Sequence, residues 1–188
     1  MPRVAKNWLA YFFWEVPVVV VREEMASDMP AVRHLNEEAF GQSVEANIVD
    51  KLRVSCDRLV SLVAVRDDRI VGHILFSPVV LESESGDRNG MGLGPMAVLP
   101  SLQRQGIGSR LVVEGLARLR SAGCPFVVVL GHHEYYPRFG FEPASRYGVR
   151  CQWEDVPDEA FMIMVTEEGA IPAEGGVIRY REEFDEAG

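Results

Sequence analysis

From Val98 to Leu111 the chain reads Val-Leu-Pro-Ser-Leu-Gln-Arg-Gln-Gly-Ile-Gly-Ser-Arg-Leu, an arrangement suited to holding a phosphate. The apolar run at Met96–Val98 meets Pro100, crosses a polar turn and enters Gly106-Ile107-Gly108 at the head of an amphipathic pattern. That order is a strand, a glycine turn and a helix N-terminus. The first N–H groups of a helix have no partner inside it and point outward, and the macrodipole places about half a positive charge there. Glycines let the backbone approach a ligand where a Cβ would stand in the way.

Three common phosphate loops fail on the residues. A Walker loop needs a lysine after its second glycine, and the chain contains only Lys6 and Lys51. A dinucleotide fingerprint needs a third glycine where Leu111 stands. A kinase loop requires His-Arg-Asp and Asp-Phe-Gly, and neither occurs. The spacing that fits is Gln/Arg-x-x-Gly-x-Gly, with Gln103, Gly106 and Gly108.

Met96-Ala97-Val98-x-Pro100-x-x-x-Arg104-Gln105-Gly106-Ile107-Gly108 resembles the acetyl-CoA loop of the GCN5-related N-acetyltransferase (GNAT) superfamily. A second match, Tyr135-Tyr136-Pro137-Arg138-Phe139-Gly140-Phe141, is similar to the family's Tyr-x-x-x-Gly-Phe signature. Together with Gly94-Pro95 the two motifs resemble a bacterial branch of predicted acetyltransferases, and the likeness runs from about Val18 to about Thr166. It implies an α/β (α+β) fold: one GNAT-like domain with a central mixed, mostly antiparallel sheet flanked by helices and splayed at the strand 93–98.

The resemblance also implies acetyl-CoA as cosubstrate and N-acetyl transfer to a primary amine of a small molecule or peptide, by direct attack in a ternary complex. The N–H groups of Arg104, Gln105, Gly106, Ile107, Gly108 and Ser109 would then hold the pyrophosphate. The Arg104 guanidinium would add charge-assisted bonds. The pantetheine arm would lie along Met96, Ala97 and Val98, with a backbone N–H near Met96 polarising the thioester carbonyl. Tyr136 matches the tyrosine that protonates the leaving thiolate, and Tyr135 is expected to point away from it. A catalytically silent acetyl-CoA-binding regulatory domain is the alternative.

His132, His133 and Glu134 follow an apolar run at Phe126–Leu130. Of these, His133 and Glu134 are named as catalytic candidates beside Tyr136, since an ammonium acceptor must lose a proton before it attacks. No further Cys, Asp or His stands at ligand spacing, so no metal is expected. Cys124, between Gly123 and Pro125, has no histidine beside it and reads as structural rather than as an acetylated nucleophile. Glu45, Asn47 and Arg53 are candidates for the acceptor cleft, set against a solvated helix face.

These residues need elements to place them. Val18–Arg22 reads as a strand, Asp28–Phe40 as a helix with Ser27-Asp28 at its cap, and Ser43–Arg53 as a second helix. Leu59–Val65 and Ile70–Leu81 read as strands joined at Asp67-Asp68-Arg69. Leu93–Val98 reads as a strand bulged at Gly94-Pro95. Gln105–Ala122 reads as a helix stopped by Gly123, Phe126–Leu130 as a buried strand, Tyr135–Phe139 as a helical turn and Phe161–Thr166 as a late strand. A short Val177-Ile178 segment follows, and the acidic tail from Glu182 is expected to fray.

At 188 residues with 47% hydrophobic and 25% charged content, the chain suits one soluble domain. We divide it into an N-terminal extension (1–17), the acetyltransferase domain (18–170) and a C-terminal segment with the acidic tail (171–188). A net charge of −9 disfavours nucleic acid as a partner. Three cysteines without metal or disulfide spacing point to a reducing, cytoplasmic setting. The aromatic run Trp8–Trp14 is interrupted downstream by Glu15 and Pro17 and lacks a cleavage site, so packing on the domain or on a partner subunit is expected rather than a leader or membrane anchor. The partner expected is therefore a small-molecule or peptide amine substrate, with no nucleic acid and no membrane, and a homodimer is left open.

Overall fold

The computed structural model describes residues 18–187; the N-terminal extension expected at 1–17, with its aromatic run and its expected packing on the domain or on a partner subunit, lies outside them. Strand β1 (Val20–Glu23) leads into α1 (Met29–Phe40) and α2 (Val44–Ser55), followed by β2 (Val60–Arg66), β3 (Arg69–Glu82) and β4 (Arg88–Val98). Helix α3 (Ile107–Ser121) precedes β5 (Phe126–Leu130), and short strands β6 (Glu142–Pro143), β7 (Val149–Cys151), β8 (Phe161–Val165) and β9 (Gly176–Arg179) complete the order. The sheet runs β1-β2-β3-β4-β5-β8-β6, with β9 beside the far end of β3 and β7 beyond it. Its pairs are antiparallel except β4 with β5 and β7 with β9.

Apolar side chains on both faces of the central strands explain the layers. In β2, Leu62 and Ala64 pack in the cluster built on α3, whereas Val63 between them packs with Val32, Val49 and Leu52 of α1 and α2. Successive strand residues face opposite ways, so a continuous apolar run means cover on both sides. At Asp67 and Asp68, φ values of 51° and 58° make the tight turn between β2 and β3. These are the left-handed values that a two-residue hairpin of matching twist requires.

Helix α3 lies against β3 through Gly115. A Cβ there would come within 2.3 Å of the Phe76 ring. Gly115→Ala would gain roughly 1 kcal/mol of helix propensity but add about 3 kcal/mol of overpacking. The variant is therefore expected to melt about 4–8 °C below wild type in a thermal scan.

A buried polar chain ties α1, α2 and the sheet together. Fully buried His73 faces the Asn36 amide through Nδ1 at 3.3 Å and the Ser61 hydroxyl through Nε2 at 3.0 Å. Asn36 donates, so Nε2 carries the ring proton and donates to Ser61, which donates in turn to Glu24. Glu24 pairs with Arg53. Burial and the nearby Arg53 cation hold His73 neutral, its pKa pushed down to about 3 from an ordinary 6.5. Below pH 6.5 the unfolded chain therefore binds a proton that the folded chain refuses, and stability should fall as pH drops from 6.5 toward about 3. Denaturant titrations at stepped pH should show that loss, and His73→Gln should flatten its slope across this window.

One expectation is corrected. The tail does not fray at Glu182: Glu183 is buried, bonded to Arg181 and Ser55, and Phe184 packs edge-to-face on Tyr180. Burial, the largest single influence, opposes ionisation of Glu183, but the hydrogen bonds from Arg181 and Ser55 and the Arg181 charge together hold its carboxyl down at about 2. The late segment also extends the sheet, because β9 pairs with both β3 and β7.

Candidate active site

The site forms where the sheet opens. Strands β4 and β5 pair only from Met91↔Val127 to Leu93↔Val129. Just beyond, Leu75 of β3 stands opposite both Gly94 and Pro95, since the register passes from Phe76↔Leu93 to Ile74↔Met96. One extra residue bends the strand and increases its twist. Residues 94–98 thus keep β3 on one side and have no strand pairing with β5 on the other. This is the expected bulge and splay.

On one side of the opening lies a cavity of about 620 Å³. Its walls come from Met96 and Val98 of β4, Gln103 to Ser109 without Gln105, and the turn holding Tyr135, Tyr136 and Arg138. The glycines play different parts. Gly106 takes a φ of 84° as the helix cap, with open space where its Cβ would be. At Gly108 a Cβ would stand 2.9 Å from the Tyr135 hydroxyl. Arg104 also adopts a left-handed φ of 61°, which turns the chain into α3. The first intrahelical bond is Arg110 N–H to the Gly106 carbonyl at 3.1 Å, and no side chain caps the helix. The Ile107, Gly108 and Ser109 N–H groups therefore belong to the set a helix leaves without internal acceptors.

Two guanidinium groups line the same cavity, Arg104 and Arg138. Sequence reasoning missed Arg138. It donates to the Tyr135 carbonyl at 3.0 Å and lies 4.1 Å above the Tyr135 ring, a cation–π contact that fixes its place. Gln103 turns back to donate to the Val98 carbonyl at 3.2 Å, closing the loop on the strand. Ala97 is buried with its side chain away from the cavity, and Gln105 is exposed outside the lining, where it bonds Ser101 and Arg66.

A second cavity, about 600 Å³, opens on the other side of the bulge. Met96, His132 and Tyr136 line both. Its remaining walls come from four places: Phe40, Glu45 and Ile48 on the α1–α2 hairpin; Leu93 to Pro95 on β4; Leu130 and Gly131 after β5; and Trp153, Glu154, Val156, Tyr180 and Phe184 from the C-terminal third.

Tyr136 is buried at the junction. Burial, and secondarily the neighbouring Tyr135, push its hydroxyl far above the ordinary phenol range, so it keeps its proton. Gly131 makes room for it: a Cβ at that residue would stand 2.3 Å from the Tyr136 ring. The His132 carbonyl accepts from the Tyr135 and Tyr136 N–H groups at 2.9 and 3.4 Å, forming the turn that presents them. Tyr135 does not point away from Tyr136. Their rings meet edge-to-face at 5.1 Å, because the turn is 3₁₀-like and Tyr135 is drawn toward Gly108. His133 and Glu134 are exposed and line neither cavity, whereas His132 lines both. Glu45 joins the second cavity; Asn47 and Arg53 instead pair with Arg33, and with Glu24 and Asp50. Among the described residues no cluster of His, Cys, Asp or Glu is arranged to hold a metal ion, and the three cysteines are free.

Known proteins resemble this chain in sequence and fold. A family model described as acetyltransferase (GNAT) domain matches residues 20–144. The chain belongs to the GNAT acetyltransferase family. It is 33% identical over 168 residues to the uncharacterized N-acetyltransferase YhbS of Escherichia coli strain K12, covering 89% of this chain and 99% of that protein. The crystal structure of E. coli YhbS in complex with CoA matches at a TM-score of 0.82 and 32% identity, covering 90% of this chain and 93% of that one. A GNAT family acetyltransferase from Brucella melitensis, in complex with acetyl-CoA, matches at 0.74 and 35% identity, covering 89% and 99%. The GNAT sheet with its flanking helices is therefore the fold of this chain, as its motifs implied. Among the described residues no helix is long and apolar enough to cross a membrane.

Proposed function

We propose that the protein transfers an acetyl group from acetyl-CoA to a primary amine by direct attack in a ternary complex. The observation that carries this reading is the junction itself: Met96, His132 and Tyr136 stand where two cavities meet across the splayed strand. One cavity has the helix N-terminus and two guanidiniums suited to a pyrophosphate. The other is free for the acceptor. The two solved structures named above were captured with CoA or acetyl-CoA, which supports the donor assignment.

In this reading the N–H groups around Gly106–Ser109 hold the pyrophosphate, and the pantetheine arm runs along the free edge of residues 96–98. A backbone N–H near Met96 polarises the thioester carbonyl as the amine attacks. The tetrahedral intermediate then collapses, breaking the carbon–sulfur bond, and Tyr136 delivers its proton to the departing thiolate. Of the residues after β5, His132 takes the proton that the ammonium form must lose. His133 and Glu134 lie outside the lining and act only through water. Initial rates with both substrates varied should give intersecting double-reciprocal lines. Parallel lines, the pattern of an acetyl-enzyme, would overturn direct attack.

A further inference from the structure

The second cavity carries a chemistry of its own. Its charged lining consists of Glu45 and Glu154, and among the described residues no lysine or arginine reaches it. The first cavity, with Arg104 and Arg138, has the opposite character. The remaining wall is mainly apolar and partly aromatic. Trp153 stacks on Tyr180 at 4.9 Å with planes 27° apart, and Phe184 meets Tyr180 edge-on at 5.6 Å. On the opposing walls Phe40 is 40% exposed and Leu130 45% exposed. Large apolar side chains left open to water inside a cavity mark surface that a ligand's own apolar body would cover.

We propose that this cavity takes a small primary amine carried on a bulky apolar, preferably aromatic, body without acidic groups. The assignment rests on the acetyl-transfer reading for its chemistry and on the cavity alone for its selectivity. Glu45 and Glu154 draw the amine in as its ammonium ion and repel carboxylates and phosphates. Trp153, Phe40 and Leu130 cover the body, leaving the amino group at the Met96–Tyr136 junction. A volume near 600 Å³ accommodates a whole small ligand.

Three probes separate the terms: 2-phenylethylamine, propylamine (no ring) and phenylalanine (the same body with a carboxylate). The kcat/KM for 2-phenylethylamine should exceed that for propylamine by about 30- to 100-fold and that for phenylalanine by about tenfold or more. Trp153→Ala should shrink the first ratio and Glu154→Gln the second, with acetyl-CoA affinity unchanged in both. Equal turnover of the three amines, or preference for phenylalanine, would overturn the assignment while leaving acetyl transfer intact. Calorimetry with the CoA-loaded protein separates the opposite failure. The same order of binding without acetylation would uphold the cavity assignment and sink the acetyl-transfer reading.

Discussion

Tyr136→Phe should lower kcat by about 10²- to 10⁴-fold while the acetyl-CoA dissociation constant stays within about twofold of wild type. The asymmetry follows from where the hydroxyl sits. The ring fills the gap opposite Gly131 and packs edge-to-face with Phe141 at 5.6 Å, and phenylalanine preserves those contacts. Only the oxygen is removed, together with the proton that burial keeps on it. A thiolate released in so buried a place is poorly solvated, which raises its demand for that proton. Rapid-quench measurement of the chemical step, with acetyl-CoA binding followed by calorimetry, checks both halves. Unchanged turnover would remove Tyr136 from the mechanism, and a matching loss of affinity would make it a binding residue.

The second large effect is expected at Ser109→Glu, where stability and binding should move in opposite directions. Ser109 occupies the third position of α3 and lines the cavity proposed for acetyl-CoA. A carboxylate in the first turn of a helix favours the macrodipole by about 0.3–1 kcal/mol, so the melting temperature should hold or rise. The same charge would stand where the pyrophosphate belongs, and acetyl-CoA affinity should fall by about 100-fold, or about 2.7 kcal/mol. Paired thermal melts and calorimetric titrations read the two signs. A variant that binds acetyl-CoA as well as wild type would remove the helix N-terminus from the donor site.

Much of the cavity proposed for acetyl-CoA was legible in the sequence because its determinants are local. Gly106 and Gly108 are three-dimensional requirements written as single residues: one supplies a left-handed backbone, the other space beside Tyr135. The strand, turn and helix that hold them are contiguous, so hydrophobic periodicity located them to within a few residues. The bulge was also readable, because Gly94-Pro95 inside an apolar run signals a broken ladder. Apart from Glu45, the cavity proposed for the acceptor was not legible, for the opposite reason. Its walls gather Phe40, Leu130, Trp153 and Phe184 from segments far apart in the chain, and the pairing of β9 with β3 together with the Glu183–Ser55 bond brings the last of them in. His132 and His133 look alike in sequence. Which one faces the junction depends on the turn geometry after β5, and the three-dimensional trace sets His132 there. Arg53 has a parallel explanation: its helix position suited a cleft, but Glu24 from the preceding strand end claims its guanidinium.

The central proposed step is the passage of the acetyl group from the first cavity to an amine in the second. Incubating the purified protein with acetyl-CoA and 2-phenylethylamine, then quantifying free thiol and N-acetylated amine together by mass spectrometry, tests that passage. The expected result is equimolar CoA and acetylated amine, saturable in both substrates and nearly abolished by Tyr136→Phe. Acetyl-CoA binding with no acetylated product from this or any other amine, or thiol release without an acetylated amine, would contradict it.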